Sequence, residues 1–276
     1  MRITINNIKY MKPQIKIMEL YTAAANIPHP DKAYRGGEDS FFLTTPSISA
    51  VGVADGVGGW ANQNVNPKLF ADDLMKFAKQ SIEQGIRNPV EALNNSYEQV
   101  EQTGSCTAVV GIMERNGIIS VANIGDSGFM VFRDKEIIFK STEQQHGFNF
   151  PYQLGKKQGV DGKWYEHGED RPENAETYKL KLRVGDIVVF GSDGLFDNIW
   201  DEDLLKTVND LNDESPEEMA NNIAELAYYE AGRKDNWVPF TQRALEAKVW
   251  GLREKNDPAF MGGKMDDITV VVGIVV

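Results

Sequence analysis

Carboxylates recur beside glycines or strand ends at four separate places in this sequence. They are Gly37-Glu38-Asp39, Asp55-Gly56-Val57-Gly58-Gly59-Trp60, Gly191-Ser192-Asp193-Gly194 and Lys264-Met265-Asp266-Asp267-Ile268-Thr269. Singly, an Asp-Gly after a strand reads as turn chemistry. Jointly they describe something else. Oxygen ligands at the ends of separate strands can converge on one point, and Mg²⁺ or Mn²⁺ prefers such ligands. Without a cation, carboxylates gathered in this way would repel, and each would have to shift its pKa. The set therefore points to a metal centre of more than one ion. Two ions about 4 Å apart, sharing a water, would make that water nucleophilic near neutral pH and polarise a phosphoryl oxygen. No paired histidines stand at zinc-ligand spacing, which argues against a His-rich zinc centre. There is no Cys-x5-Arg loop and no Gly-x-Ser-x-Gly motif, so no protein nucleophile is marked.

These carboxylates need strands to position them. Ser40-Phe41-Phe42-Leu43 and residues 48–54 read as a strand pair, with Asp55 directly after the second. Leu69, Phe70, Leu74, Phe77, Ala78 and Ile82 recur at helical spacing over residues 67–84. Pro89 opens a second helix with Val90, Leu93, Tyr97 and Val100 on one face. Four apolar runs follow, 106–113, 118–123, 129–133 and 136–139, and read as an antiparallel meander. Residues 144–174 are polar and aperiodic, a loop of functional length. Residues 180–182 and 187–190 read as another hairpin, followed by helices at 201–209, 215–229 and about 240–249. The chain closes on a β-branched strand, 268–276, expected to be buried on both faces. Strands and helices are grouped rather than alternating, so the fold class is α+β with antiparallel sheets. Residues 1–25 read as an N-terminal extension and 26–276 as one catalytic domain.

The 276 residues carry a formal charge of −12, which argues against a nucleic-acid or anionic-membrane surface. The single cysteine, Cys106, opens an apolar run and reads as a small core residue; one thiol forms no internal disulfide. No apolar run is long enough to span a bilayer. Arg2, Lys9, Lys12 and Lys16 stand against Glu19 near the start. That is the charge sign of a mitochondrial or other organelle presequence, but alternating strands at Ile3-Thr4-Ile5 and Ile15-Lys16-Ile17 explain the segment equally well. Localisation stays open, with the cytoplasm as the alternative.

The ordered set G-E-D-S-F-F, V-A-D-G-V-G-G-W, A-N-I-G-D-S-G-F, G-S-D-G-L-F-D-N and D-D-I-T-V-V-V resembles the metal-dependent protein serine/threonine phosphatases of type 2C. Ile27-Pro28-His29-Pro30, D-G-V-G-G-W and Gln144-Gln145-His146-Gly147-Phe148-Asn149 resemble the branch typified by the seventh yeast type 2C phosphatase and its plant and animal relatives. The resemblance covers residues 27–276. It implies a four-layer αββα sandwich, with two antiparallel β-sheets flanked by helix pairs and a binuclear Mg²⁺ or Mn²⁺ centre at one end. Carried over, Asp55, Asp193, Asp266 and the Gly56 carbonyl would be direct ligands. Glu38 would act through a water, and Asp39 would support the centre. Asp126 and Asp197 would help Asp193 hold a weaker third ion. The implied partners are phosphorylated protein substrates, met by a monomer.

The chain departs from the family pattern in two places. Many members carry a proton-donating histidine directly after Asp-Gly; here that position is Val57. Metal-bound water is one alternative proton source and His146 is another, although a histidine in a polar loop reads first as solvated. Many members place a phosphate-binding arginine four residues before Glu-Asp; here Tyr34 stands there and Arg35 is one residue closer. Arg35 reads equally as a phosphate fork or a surface residue. Of the adjacent Asp266 and Asp267, strand alternation points only one at the centre, and the resemblance favours Asp266. Trp60 reads first as a packing residue at the edge of the site, with substrate stacking as the second reading. The 144–174 segment matches a variable flap and is a candidate seat of specificity. A regulatory module that kept the fold without activity, and a phosphoesterase for small phosphates, are the competing readings.

Overall fold

The computed structural model describes residues 17–251, 255 and 260–276. In chain order the elements are β1 (Leu20–Ile27), β2 (Ser40–Leu43), β3 (Ala50–Ala54), α1 (Pro67–Glu83), α2 (Pro89–Gln99), β4 (Gly104–Cys106), β5 (Ala108–Met113) and β6 (Ile118–Ile124). Next come β7 (Gly128–Arg133), β8 (Glu136–Lys140), β9 (Gln145–Gly147), β10 (Phe150–Pro151), β11 (Leu154–Gln158), β12 (Trp164–Glu166), β13 (Glu176–Lys181) and β14 (Ile187–Gly191). The last are α3 (Asp193–Phe196), α4 (Asp201–Asp210), α5 (Pro216–Gly232), α6 (Pro239–Glu246) and β15 (Ile268–Val275).

Two five-stranded antiparallel sheets form, in the orders β2-β3-β5-β6-β13 and β1-β15-β14-β7-β8. Their central strands are buried on both faces, so alternate side chains enter different cores. In β5, Val109 and Met113 face the core between the sheets, while Ala108, Val110 and Ile112 pack with α1 and α2. In β14, Val188 and Phe190 face the inter-sheet core, while Ile187 and Val189 pack with α5 residues such as Ile223 and Ala227. β15 divides likewise: Val271 and Val275 point inward, and Ile268, Val270 and Val272 point to the helices. The result is the expected αββα sandwich. Phe190 stacks on Phe129 at 5.3 Å in its middle. Among the described residues, no helix is long and apolar enough to cross a membrane.

The helices begin where their sequence signals lie. Asn66 caps α1 by accepting from the Lys68 N–H, Asn88 caps α2, and Ser215 caps α5 through the Glu218 N–H, each just before a proline. Leu69, counted on the apolar face of α1, is exposed.

Four expectations need correction. The meander breaks after β6: β5 and β6 pair in one sheet, β7 and β8 in the other. The hairpin expected at 180–190 does not form either, because β13 pairs with β6 while β14 pairs with β15 and β7. In both places the chain crosses between sheets. A turn between two apolar runs looks alike in sequence whether the strands pair or part, since both destinations are apolar. The 144–174 segment is structured: β11 pairs with β4, and Leu154 is buried in the core beneath α1 and α2. Finally, β1 pairs with β15 along its length, from Leu20 opposite Val275 to Ile27 opposite Ile268, so the sheet begins inside the stretch read as an extension. The expected strands at Ile3-Thr4-Ile5 and Ile15-Lys16 lie outside the described residues.

Candidate metal centre

The acidic motifs meet because their backbones meet. Asp55 ends β3, and its carbonyl accepts from the Thr107 N–H at 2.9 Å, while the Val57 N–H donates to the Ser105 carbonyl at 2.9 Å. Gly56 between them donates to the Glu38 carbonyl at 3.3 Å. A Cβ on Gly56 would lie 2.7 Å from that carbonyl oxygen, so only glycine lets the two loops touch. Gly194 plays the same part across the site: a Cβ there would meet the Asp267 carbonyl oxygen at 2.1 Å. Asp193 at the start of α3 is thereby brought against the segment leading into β15.

Asp267 fastens a third loop. Its Oδ1 accepts from the His29 N–H at 2.8 Å and its Oδ2 from the Glu38 N–H at 3.1 Å. Asp267 thus holds two backbone donors as well as Lys32, whereas its neighbour Asp266 is partly exposed and lies between Lys32 and Lys264.

The carboxylates so gathered are costly. Glu38, Asp39, Asp126, Asp193 and Asp197 are all buried. Burial first, then Asp193, Asp39, Asp266 and Asp126, pushes the Asp55 carboxyl well above its ordinary range. Burial, then Asp193 and Asp197, does the same to Asp126. Asp39 is pushed up to about 7, chiefly by burial and Asp267, although hydrogen bonds with Ser192 and Thr269 partly offset this. The Thr269 hydroxyl donates to Asp39 Oδ2 at 2.7 Å.

Two lysines compensate part of this charge. Lys32 Nζ lies 2.6 Å from Glu38 Oε2 and 3.2 Å from both Asp266 Oδ1 and Asp267 Oδ2. Lys264 Nζ pairs with Asp193, lies 2.6 Å from Asp197 Oδ2 and 3.6 Å from Asp266 Oδ2. Burial opposes charge on Lys264, but Asp193, Asp197 and Asp266 outweigh it and hold its pKa well above the lysine range. The same balance raises Lys32, where Asp266 and Glu38 lead the opposition to burial. Arg35 pairs with Glu38, and Arg243 pairs with Asp197.

Each predicted site residue therefore lies in one cluster: Arg35, Glu38, Asp39, Asp55, Gly56, Asp126, Asp193, Asp197 and Asp266. Tyr34, which stands at the spacing of the missing arginine, is turned to solvent. Trp60 is buried, its indole N–H donating to Ser105 Oγ at 2.7 Å, as expected of packing. Cys106 is buried, and burial pushes its thiol up. His146 is not merely solvated: its ring stacks on Tyr152 at 4.1 Å, and Nε2 lies 3.0 Å from Asp170 Oδ2. Lys32, Lys264, Asp267 and Thr269 went without a role in the sequence. Lys264 stands inside an acidic motif, the one local signal that it serves charge compensation.

As the side chains stand, no three carboxylate, histidine or cysteine residues among those described close around a single ion. The lysine ammonium groups occupy that ground. The donor set nonetheless fits hard divalent cations. It is all oxygen, and Asp39 Oδ1, Asp126 Oδ1 and Asp193 Oδ1 are buried without a hydrogen-bond partner. Raised carboxyl pKa values are what such oxygens show when counter-charge falls short.

The protein phosphatase 2C family profile matches residues 39–149. "Probable protein phosphatase 2C 80" of Arabidopsis thaliana is 36% identical over 95% of this chain and 60% of its own length. "Protein phosphatase PTC7 homolog fig" of Drosophila willistoni is 35% identical over 95% of this chain and 84% of its own. The chain thus spans less than two thirds of the Arabidopsis protein and most of the Drosophila one. The X-ray structure of the photosystem II phosphatase PBCP superposes with a TM-score of 0.83 at 32% identity, covering 92% of this chain and 98% of that one. The catalytic domain of the serine threonine protein phosphatase PstP, in complex with two manganese ions, shares the fold at a TM-score of 0.58 and 18% identity, covering 94% of this chain and 99% of that one.

Proposed function

The chain belongs to the protein phosphatase 2C family, and from that premise we propose that it is a Mn²⁺- or Mg²⁺-dependent protein serine/threonine phosphatase. The observation that carries this reading is the convergence of Asp55, Asp193 and Asp266 beside buried, unpartnered oxygens of Asp39, Asp126 and Asp193. Asp55, Asp193, Asp266 and the Gly56 carbonyl would hold two ions, with Glu38 and Asp39 alongside; Asp126 and Asp197 would join Asp193 in holding a third. Bound there, divalent cations supply Lewis acidity toward a phosphoryl oxygen and make water nucleophilic near neutral pH.

The protein's own contribution is to hold the donors in place. Asp267 fixes the Glu38 loop through two backbone N–H groups, and Thr269 orients Asp39. Lys32 and Arg35 bring positive charge to the Glu38 side, where they would attract a dianionic phosphate. An inactive module that kept the fold would be expected to lack one of these carboxylates, and the sequence holds each of them. The test is hydrolysis of a phosphothreonine peptide with Mn²⁺, with and without EDTA. Activity surviving the chelator, or an Asp193→Asn variant retaining most of the rate, would overturn the proposal. Turnover of small phosphoesters alone would favour the competing phosphoesterase reading.

A further inference from the structure

The departing group in this reaction is a seryl or threonyl oxygen, a strong base that needs a proton as its bond to phosphorus breaks. The residue directly after Asp55-Gly56 is Val57, which has none to give. Beside Val57 opens a cavity of about 590 Å³, lined by Val57, Gly59, Trp60, His146 and His167 among others. The chain has three histidines. His29 lies outside this cavity, where its Nδ1 accepts from the Asp31 N–H at 3.1 Å. His167 packs edge-on to Trp60 at 4.7 Å, and among the described residues no carboxylate is bonded to its ring.

His146 is held differently. Its Nε2 lies 3.1 and 3.0 Å from the two oxygens of Asp170. Asp170 is buried and anchored by the Gln153 N–H at 3.0 Å. The ring lies nearly parallel to Tyr152, with Phe150 5.4 Å away. Asp170 thus fixes which nitrogen is engaged, and among the described residues nothing hydrogen-bonds Nδ1. Glu169, on the same cavity wall, is the other charged group facing this space. Two residues upstream, the Gln144 N–H donates to the Gly125 carbonyl at 2.8 Å, tying this segment to the loop that carries Asp126. An imidazole oriented by a buried carboxylate is the arrangement used for proton transfer in acyl-transfer enzymes.

We propose that His146, positioned by Asp170, is the proton donor to the leaving seryl or threonyl oxygen. The cavity between His146 and Val57 receives the peptide chain that carries this oxygen. The inference rests on the phosphatase reading above. As the ester P–O bond breaks, its electron pair goes to the side-chain oxygen. That oxygen takes the Nδ1 proton and departs as a hydroxyl, while water supplies the oxygen of the new P–O bond. The proton released from water restores the imidazolium, and the products are the free hydroxyl residue and inorganic phosphate.

The experiment compares the unaltered protein with His146→Gln and Asp170→Asn on two substrates in saturating Mn²⁺. p-Nitrophenyl phosphate has a leaving group that departs without a proton; a phosphothreonine peptide does not. In His146→Gln the ratio of peptide to p-nitrophenyl phosphate kcat should fall roughly 10²-fold or more, with peptide KM little changed. Asp170→Asn should fall in between. Across aryl phosphates of increasing leaving-group basicity, the rate should decline more steeply in His146→Gln than in the unaltered protein. Parallel loss on both substrates, or no loss on the peptide, overturns the assignment and leaves the phosphatase reading standing. An unaltered protein inert toward both substrates overturns the two together.

Discussion

Replacing Lys264 by methionine should destabilise the metal-free protein far more than any surface charge change. The Lys264 side chain is 16% exposed, and its partners Asp193 and Asp197 are 9% and 5% exposed. Removing one partner of a buried ion pair costs about 3–5 kcal/mol, because the remaining charge is left uncompensated. Here two buried carboxylates and the nearby Asp266 lose their cation. Methionine keeps most of the aliphatic stem, so lost packing contributes little. Lys79 and Glu83 on α1 provide the control: they lie 3.9 Å apart at 41% and 43% exposure, and such pairs contribute under about 1 kcal/mol. For a domain of this size each kcal/mol moves the melting temperature by about 2–4 °C, so Lys264→Met should melt roughly 6–20 °C lower in EDTA. The assay is thermal unfolding by circular dichroism in EDTA and again in excess Mn²⁺, with Lys79→Met alongside. Added Mn²⁺ should narrow the gap, since divalent cations supply the missing counter-charge. A drop in EDTA no larger than that of Lys79→Met, or a gap that Mn²⁺ leaves untouched, would refute the reasoning.

Asp55→Asn should raise the melting temperature in EDTA at neutral pH while abolishing Mn²⁺-dependent hydrolysis, because it removes a carboxylate that burial and four acidic neighbours disfavour; a lower melting temperature would count against this. The pH dependence of the metal-free protein follows from the same residues. Asp39, Asp55 and Asp126 have folded pKa values above the ordinary 3.8. Their penalty is absent below that value and grows as pH rises through it toward the folded value, so stability in EDTA should increase from about pH 8 to about pH 6. A flat or falling trend in scanning calorimetry would contradict it. Gly194→Ala would drive a methyl group into the Asp267 carbonyl; Mn²⁺ affinity by titration calorimetry should fall at least about tenfold, in line with a displaced supporting group, and unchanged affinity would show that the contact is dispensable. Cys106, with its thiol pushed up by burial, should stay unlabelled by iodoacetamide in the native protein, and rapid stoichiometric labelling would show otherwise.

The parts of this molecule that sequence reveals are those with local causes. Pro89 and Ser215 announce helix starts, and apolar periodicity announces α1 and α2. Asp55 and Asp193 are visible as site residues because each follows an apolar run and precedes a glycine. What stays hidden has distant causes. The alanines of β1 have weak strand preference, and they are extended only because β15 lies beside them. The four-residue α3 is too short to show a period. The two crossings between sheets leave no local mark, yet one of them sets Asp126 at the centre. Lys32 looks like any solvated lysine until Asp266 and Asp267 arrive from the far end of the chain. His146 looks unremarkable until Asp170, 24 residues on, meets its ring.

The register of β1 against β15 has a consequence for biosynthesis. Leu20 lies opposite Val275, and Asp266 enters its position from the segment just before β15. A nascent chain paused anywhere before residue 264 lacks Lys264, Asp266 and the strand that both β1 and β14 need as a partner. In order of synthesis, then, β1 is made early and its full-length partner β15 last, so the sheet that joins them, and the contacts of Lys264 with Asp193 and of Asp266 with Lys32, can close only when residues 264–275 are available.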